Sequence, residues 1–216
     1  MKNLKGIFVY LLLSVFLILT ARQFCSIVWW SISHYKLFAW FAAGVVVYFI
    51  ARKFLKKNEE FLQTFTHELT HTIAGFLFGH KIHSFRASDG NGGEIYHSGR
   101  YGGIFIALTP YCLPVYTYVL MLLRLIGERQ ALYVFDLLTG LTAAFHAVAF
   151  FKQIRPYQTD IQSQGYLKSY LFITAFLLFN SAVILLTVRK GLSYAFQTSV
   201  RDYWYDIEAF FNFITQ

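Results

Sequence analysis

Six long apolar segments alternate with shorter polar ones along the chain. They occupy approximately residues 6–30, 37–50, 61–79, 104–123, 131–151 and 160–188. A helix of about twenty apolar residues crosses a hydrocarbon core roughly 30 Å thick, and most of these segments reach that length. The second segment is shorter, and the first is interrupted by Arg22 and Gln23. The pattern therefore predicts an all-α polytopic membrane protein with about six transmembrane helices.

The polar interval between the third and fourth apolar segments, residues 80–100, follows a different pattern. Polar and apolar residues alternate on both sides of the glycine-rich segment 89–93. Alternation around a glycine-rich turn is typical of a β-hairpin. We therefore expect a small hairpin directly after the third transmembrane helix.

These elements divide the chain into three regions. Residues 1–57 contain two N-terminal spans, and residues 58–190 form a core that includes the hairpin at 80–100. Residues 191–216 mix aromatic and acidic side chains, a composition typical of a helix at the membrane interface.

Composition and charge support the membrane assignment. Hydrophobic residues make up 56% of the chain and charged residues only 14%, whereas soluble domains carry about 25% charged residues. The net charge of +8 comes from lysines and arginines between the apolar segments, which indicates contact with anionic lipid. No nucleic-acid-binding motif accompanies this charge, so we expect no nucleic-acid partner. The distribution of basic residues favours cytoplasmic termini.

The third apolar segment contains the sequence His67-Glu68-Leu69-Thr70-His71. On a helix the two histidines, four positions apart, share one face and can bind one Zn²⁺ ion. The glutamate beside the first histidine can then act as the general base for water. One ionisable residue within a span costs roughly 2.5 to 3.5 kcal/mol, so three in five positions favour a metal site over a structural cluster.

The residues alone do not fix a third metal ligand. The candidates are Asp136, His146 and Asp160. Asp136 could instead pair with Arg129, and Asp160 could cap a helix. His146 could be a packing residue, or it could donate a hydrogen bond to an oxyanion.

Three further histidines, His80, His83 and His97, flank the expected hairpin. We interpret them as solvated loop residues, since connecting segments usually lie on the protein surface. The neighbouring Gly92 and Gly93 are interpreted first as turn residues, because glycine tolerates turn conformations.

Residues 67–75, followed by a hairpin that contains glycine, resemble the site-2 protease family of intramembrane zinc metalloproteases. Residues 108–111 (Leu-Thr-Pro-Tyr) and 155–160 (Arg-Pro-Tyr-Gln-Thr-Asp) resemble a compact bacterial branch of that family. The resemblance covers about residues 60–185 and implies a zinc metallopeptidase with one Zn²⁺ per chain. It also implies a bacterial inner-membrane location.

The resemblance also ranks the third ligands. The family uses a late aspartate that follows a proline-containing stretch, and Asp160 with Pro156 four residues earlier fits this order. The family usually has glycine directly after that aspartate, where this chain has Ile161. Asp160 is therefore the first choice, His146 the second and Asp136 the third.

The resemblance further implies an extended substrate that pairs with the hairpin edge at Gly92 and Gly93, by strand addition. The expected partners are the lipid bilayer and a protein or peptide substrate in or near the membrane. The alternative function is a zinc-binding, non-proteolytic membrane scaffold or partner-binding module. Transport ranks last, because polar residues concentrate in one place instead of spreading over several spans.

Overall fold

The computed structural model describes residues 2–54, 56–88, 92–100 and 102–215. The α-helices in these residues are α1 (Lys2–Ser33), α2 (Ala39–Phe54), α3 (Lys56–Leu77), α4 (Gly103–Leu108), α5 (Val115–Leu123), α6 (Leu132–Gln153), α7 (Thr159–Gln164), α8 (Tyr166–Lys190) and α9 (Leu192–Ile214). Strands β1 (Lys81–Ser88) and β2 (Gly92–Ser98) lie between α3 and α4 in the chain. Short 3₁₀ turns at Tyr35–Phe38, Thr109–Tyr111 and Arg129–Ala131 connect some of the helices.

Four helical stretches in the described residues are long and apolar enough to cross a membrane. They are Gly6–Ser33, Tyr35–Phe54, Arg129–Gln153 and Tyr166–Lys190. A fifth span is possible if Gly103–Tyr111 and Val115–Leu123, which meet at an angle of 84°, together form one broken crossing. The protein is thus a helical integral membrane protein, with four or five such spans in the described residues where six were expected.

Helix α3, expected to be the third span, is not one of these four or five. Its buried positions are mainly polar and are occupied by Glu59, Gln63, Thr66, Glu68, Thr70 and His71. The helix packs against the hairpin and against the Thr109–Tyr111 turn. The polar side chains of α3, which include those that suggested a metal site, are therefore enclosed by the protein.

The expected fourth span is broken between α4 and α5. Pro110 and Pro114 lie at this break, and proline has no backbone N–H for the helical hydrogen-bond ladder. The side chain of Asn180, on α8, donates a hydrogen bond to the carbonyl of Cys112 at 2.9 Å. This contact satisfies a backbone group that the broken helix leaves free.

The expected sixth span, residues 160–188, is also divided. Gly165 adopts a φ of +86°, a left-handed conformation that favours glycine, and it separates α7 from α8. The span itself begins at Tyr166. Asp160 consequently lies in a short separate helix and not in the long transmembrane helix.

The long helices pack in pairs, with α1 against α8 and α2 against α6. A side chain at Gly44 would overlap the backbone of Leu137, and one at Gly140 would overlap the backbone of Phe41. Small residues at such crossings let helix backbones approach closely within a membrane. Helix α9 packs on α8, and its C-terminal half exposes aromatic residues that include Trp204 and Phe213.

Strands β1 and β2 pair antiparallel, which confirms a small hairpin. Lys81 lies opposite Ser98 and Ser88 lies opposite Gly92, with an irregularity in register between Ile82 and Ser84. The expected turn residues 89–91 lie outside the described residues. Within the described residues β2 pairs with β1 alone, so its other edge is unpaired.

Candidate metal centre and active-site cavity

Helix α3 places the two histidines of the motif on one face. Because they are four positions apart, the rings of His67 and His71 lie with their centroids 4.9 Å from each other. His71 is buried and His67 is half-buried. The local geometry of an α-helix therefore accounts for two of the three candidate ligands.

Asp160 approaches the same point from α7. Its Oδ2 atom lies 3.5 Å from Nε2 of His67 and 3.4 Å from Nε2 of His71. One ligand atom from each of the three residues lies within 4.8 Å of the other two. Among the described residues this is the one group of three or more His, Cys, Asp or Glu side chains that could hold a metal ion.

The other ring nitrogen of each histidine faces an oxygen atom. Nδ1 of His71 lies 2.7 Å from the carbonyl oxygen of Ile106, and Nδ1 of His67 lies 3.2 Å from Oε1 of Gln153. A carbonyl oxygen can only accept a hydrogen bond, so each Nδ1 is the donor. Both Nε2 atoms thus point towards Asp160, in the arrangement that metal-binding histidines adopt when a neighbouring group holds the ring.

The donor set fits zinc. Zn²⁺ binds histidine nitrogen and carboxylate oxygen at about 2.0–2.2 Å in tetrahedral geometry, which places ligand atoms about 3.4 Å apart. The two Nε2–Oδ2 separations, 3.4 and 3.5 Å, agree with that spacing. Three protein ligands leave a fourth position for water or substrate, as in catalytic zinc sites.

The carboxyl group of Asp160 is well suited to remain ionised. Burial by itself would raise its pKa, but the facing side chains of His67 and His71 hold the pKa well below its usual value. The hydroxyl of Tyr111 donates a further hydrogen bond to Oδ2 at 3.3 Å. Asp160 therefore offers the negative charge that a metal ligand needs.

A cavity of about 470 Å³ opens beside the three residues, and Glu68 lines it together with part of strand β2. Glu68 is 7% exposed. Gly93 of β2 lies so close that any side chain at that position would overlap the side chain of Glu68. The cavity thus combines the candidate metal ligands, a carboxylate and residues of strand β2.

The chain was compared with models of known protein families. The family model described as Peptidase M50B-like matches residues 38–156, which is more than half of the chain. The chain belongs to the Peptidase M50B-like family. This confirms the resemblance to site-2 proteases. No match was found among curated proteins or among solved structures.

The M50B-like match covers part of the candidate site. It includes His67, Glu68 and His71 and the whole hairpin, and it ends four residues before Asp160. Membership supports an intramembrane metalloprotease at the level of the family. Asp160 lies outside the matched residues, and the geometry of this chain brings it close to His67 and His71.

The structure places the alternative ligands elsewhere. Asp136 pairs with Arg124 at 3.1 Å, and not with Arg129 as considered from the sequence. His146 is not part of the three-residue group; it lines a small separate cavity that His67 also lines. Since Asp136 lies 17 residues before Gln153 on α6, it is about 26 Å from the residue that touches His67.

The residues of the hairpin differ from their expected positions. Gly92 and Gly93 lie in strand β2 and not in a turn, opposite Ser88 and Ala87. The expectation of solvated loop histidines is wrong for His97, which is half-buried in β2 and lines the cavity.

His80 and His97 form a pair in the cavity of this M50B-like protein. Their Nδ1 atoms lie 2.8 Å apart, and both residues line the cavity. Burial lowers the pKa of His97, and the nearby His80 and His71 lower it further. The third histidine, His83, is exposed and lies 2.7 Å from the hydroxyl of Ser98.

Three contacts of this M50B-like site were not anticipated from the sequence. They are the carbonyl of Ile106 at His71, the side chain of Gln153 at His67, and the hydroxyl of Tyr111 at Asp160. The only available signal was the Thr-Pro pair at 109–110, which marks a break in the helix next to two of these residues.

Proposed function

We propose that this protein is an intramembrane zinc metalloprotease that hydrolyses peptide bonds of substrates in or near the membrane. The proposal rests on the convergence of His67 Nε2, His71 Nε2 and Asp160 Oδ2 beside Glu68 in one cavity. His67, His71 and Asp160 would hold one Zn²⁺ per chain. Zinc bound there supplies Lewis-acid activation of water and of the scissile carbonyl.

Glu68 is the proposed general base. It follows His67 directly on α3 and lines the cavity in which a substrate would lie. Its carboxylate would accept a proton from the attacking water and later return a proton to the leaving amine. Because Gly93 has no side chain, Glu68 can occupy this position against the strand.

The hairpin is the proposed substrate platform. Gly93, Glu94, Ile95 and His97 of β2 line the cavity, and β2 has no partner on its second edge within the described residues. An extended peptide could add to this edge through backbone hydrogen bonds and run past Glu68. A transmembrane substrate would have to unwind locally to do so, which favours single-span proteins whose helix is easily opened.

The candidate membrane spans place the proposed enzyme in a lipid bilayer. The lipid bilayer is a partner in any case, because at least four helices qualify as membrane spans. Location in a bacterial inner membrane and cytoplasmic termini remain predictions from the resemblance and from the distribution of basic residues.

The decisive experiment compares the purified wild type with Glu68→Gln in detergent or in vesicles. The variant keeps the three proposed metal ligands, so we expect it to bind one zinc per chain while cleavage of a single-span model substrate is lost. His67→Ala should lose both zinc and cleavage. Wild-type activity in Glu68→Gln would remove Glu68 as the base.

The same experiment addresses the non-proteolytic alternative. A zinc-binding scaffold would bind zinc in a His67-dependent manner but would cleave no substrate in the wild type or in any variant. We favour the protease, since Glu68 is not one of the three proposed ligands, and a carboxylate beside a metal centre serves hydrolysis as a general base.

A further inference from the structure

The C-terminal end of helix α6 contacts one polar face of α3. Lys152 Nζ lies 3.4 Å from Oε2 of Glu59, and Nε2 of Gln153 lies 3.2 Å from the backbone carbonyl oxygen of Gln63. The opposite atom of the same amide, Oε1, lies 3.2 Å from Nδ1 of His67. Glu59, Gln63 and His67 are spaced by four residues and therefore lie on one face of α3.

The contacts of Gln153 fix the orientation of its amide. The carbonyl of Gln63 can only accept a hydrogen bond, so the NH₂ group of Gln153 must face it. The amide oxygen of Gln153 then faces His67 and can only accept in turn. Nδ1 of His67 must therefore carry a proton, which leaves Nε2 of the neutral ring with its lone pair directed at the metal position.

We infer that Gln153 is a positioning residue that selects the metal-binding tautomer of His67 and fixes the orientation of its ring. This inference rests on the proposed function, since it assigns His67 to a zinc site. Gln153 itself belongs to a different element from the proposed ligands and base. It is the last residue of α6 and does not line the cavity.

Gln153 and Asp160 act on opposite sides of one imidazole. Gln153 accepts from Nδ1 of His67, and Asp160 lies at its Nε2. The two residues are only seven positions apart, on the connection that leads from α6 into α7. This short segment therefore contacts both ring nitrogens of His67. For His71, Asp160 faces Nε2, but Nδ1 is held by Ile106 from α4.

The first test measures the zinc dissociation constant of the full-length protein by competition with a chromophoric chelator. Gln153→Leu keeps the approximate size of the side chain but removes the acceptor, so zinc affinity should fall about 10- to 100-fold, as for other groups that orient metal ligands. Gln153→Glu retains an acceptor oxygen and should keep affinity within about threefold of the wild type or increase it.

Lys152→Met is the matched control. It removes the contact of α6 with Glu59 but leaves the contact with His67, so zinc affinity should stay within about threefold of the wild type. If Gln153 merely joined α6 to α3, Lys152→Met and Gln153→Leu would have similar effects, and Gln153→Glu would not preserve affinity. Equal effects of the two variants would overturn the inference, as would wild-type affinity in Gln153→Leu.

A second readout does not require zinc. In zinc-free protein labelled with ¹⁵N-histidine, the chemical shifts of His67 should report a proton on Nδ1 in the wild type. In Gln153→Leu the occupancy of Nδ1 should fall, because the Asp160 carboxylate at Nε2 is then the remaining acceptor. A proton on Nε2 alone in the wild type would overturn the inference. A wild type that binds zinc with the expected tautomer but cleaves no substrate would contradict the proposed protease and leave the role of Gln153 intact.

Discussion

Asp160 and Asp136 are two aspartates of low exposure in the same protein, yet their surroundings have opposite consequences. The side chain of Asp160, 26% exposed, faces two imidazole nitrogens at the wall of an open cavity. The side chain of Asp136, 14% exposed, is paired with Arg124 at 3.1 Å. Burial of a carboxylate is common to both, so burial does not identify a metal ligand. Around Asp160, in contrast, several possible ligand atoms converge beside accessible space.

The origin of this difference lies in the backbone. Asp136 is within the long helix α6, where the nearest opposite charge comes from Arg124 just beyond the end of α5. Asp160 is in the short helix α7, which Gly165 separates from α8. Because α7 is not continuous with the span, it can place Asp160 over α3. Ile161 next to it is fully buried in the core formed with Leu108 and Phe172, which anchors α7 there.

The largest expected effect follows from Asp160→Asn. The amide preserves the shape of the side chain but removes the negative charge that faces His67 and His71. We expect zinc affinity to fall at least about 100-fold and cleavage to be lost, since metal sites depend on deprotonated ligands. Chelator competition and cleavage of a model substrate measure the two effects. Wild-type zinc affinity in this variant would remove Asp160 from the ligand set.

A smaller effect of a different kind is expected from Asp136→Asn. This change leaves Arg124 without its anionic partner, and both side chains are mostly buried. Loss of one partner in a fully buried pair costs roughly 3 to 5 kcal/mol, and the partial exposure here should reduce the cost to about 2 kcal/mol. Unfolding in mixed micelles should therefore show lower stability, while zinc affinity stays within about twofold of the wild type. Weakened zinc binding at unchanged stability would reverse the assignments of the two aspartates.

Sequence reasoning reached His67, Glu68 and His71 because their proximity depends only on the geometry of one helix. Asp160 comes close to them across 89 residues of sequence from His71, through a break at Gly165 that a hydropathy pattern does not show. Instead the pattern extended the last span back to residue 160. The family resemblance, and not the residues themselves, ranked Asp160 first.

The same limit applies to α3. Apolar residues recur often enough within 61–79 to suggest a span, but the pattern does not say that the polar residues would be enclosed by the hairpin and by the Thr109–Tyr111 turn. Gln153 was overlooked for a related reason. A glutamine at the end of an apolar helix has no distinctive spacing, and its role depends on the carbonyl of Gln63 and the ring of His67, which only the tertiary structure brings together.

The smallest expected effect concerns Tyr111. Its hydroxyl donates a hydrogen bond to Asp160, a weaker contact than the ion pair that Arg124 makes with Asp136. The hydroxyl is 3.3 Å from Oδ2 of Asp160, and the residue is fully buried. Tyr111→Phe keeps the ring and removes one neutral donor, a change of about 0.5 to 1.5 kcal/mol, so zinc affinity should weaken about 2- to 10-fold.

Tyr118→Phe is the matched control for Tyr111→Phe, because the Tyr118 hydroxyl donates to Asn180 and has no contact with the metal centre. We expect that variant to leave zinc affinity unchanged even if it lowers stability. A loss of 100-fold or more in Tyr111→Phe would show that Asp160 depends on this hydroxyl as strongly as Asp136 depends on its arginine. The contrast between a carboxylate held by a full ion pair and one left available for a metal would then no longer hold.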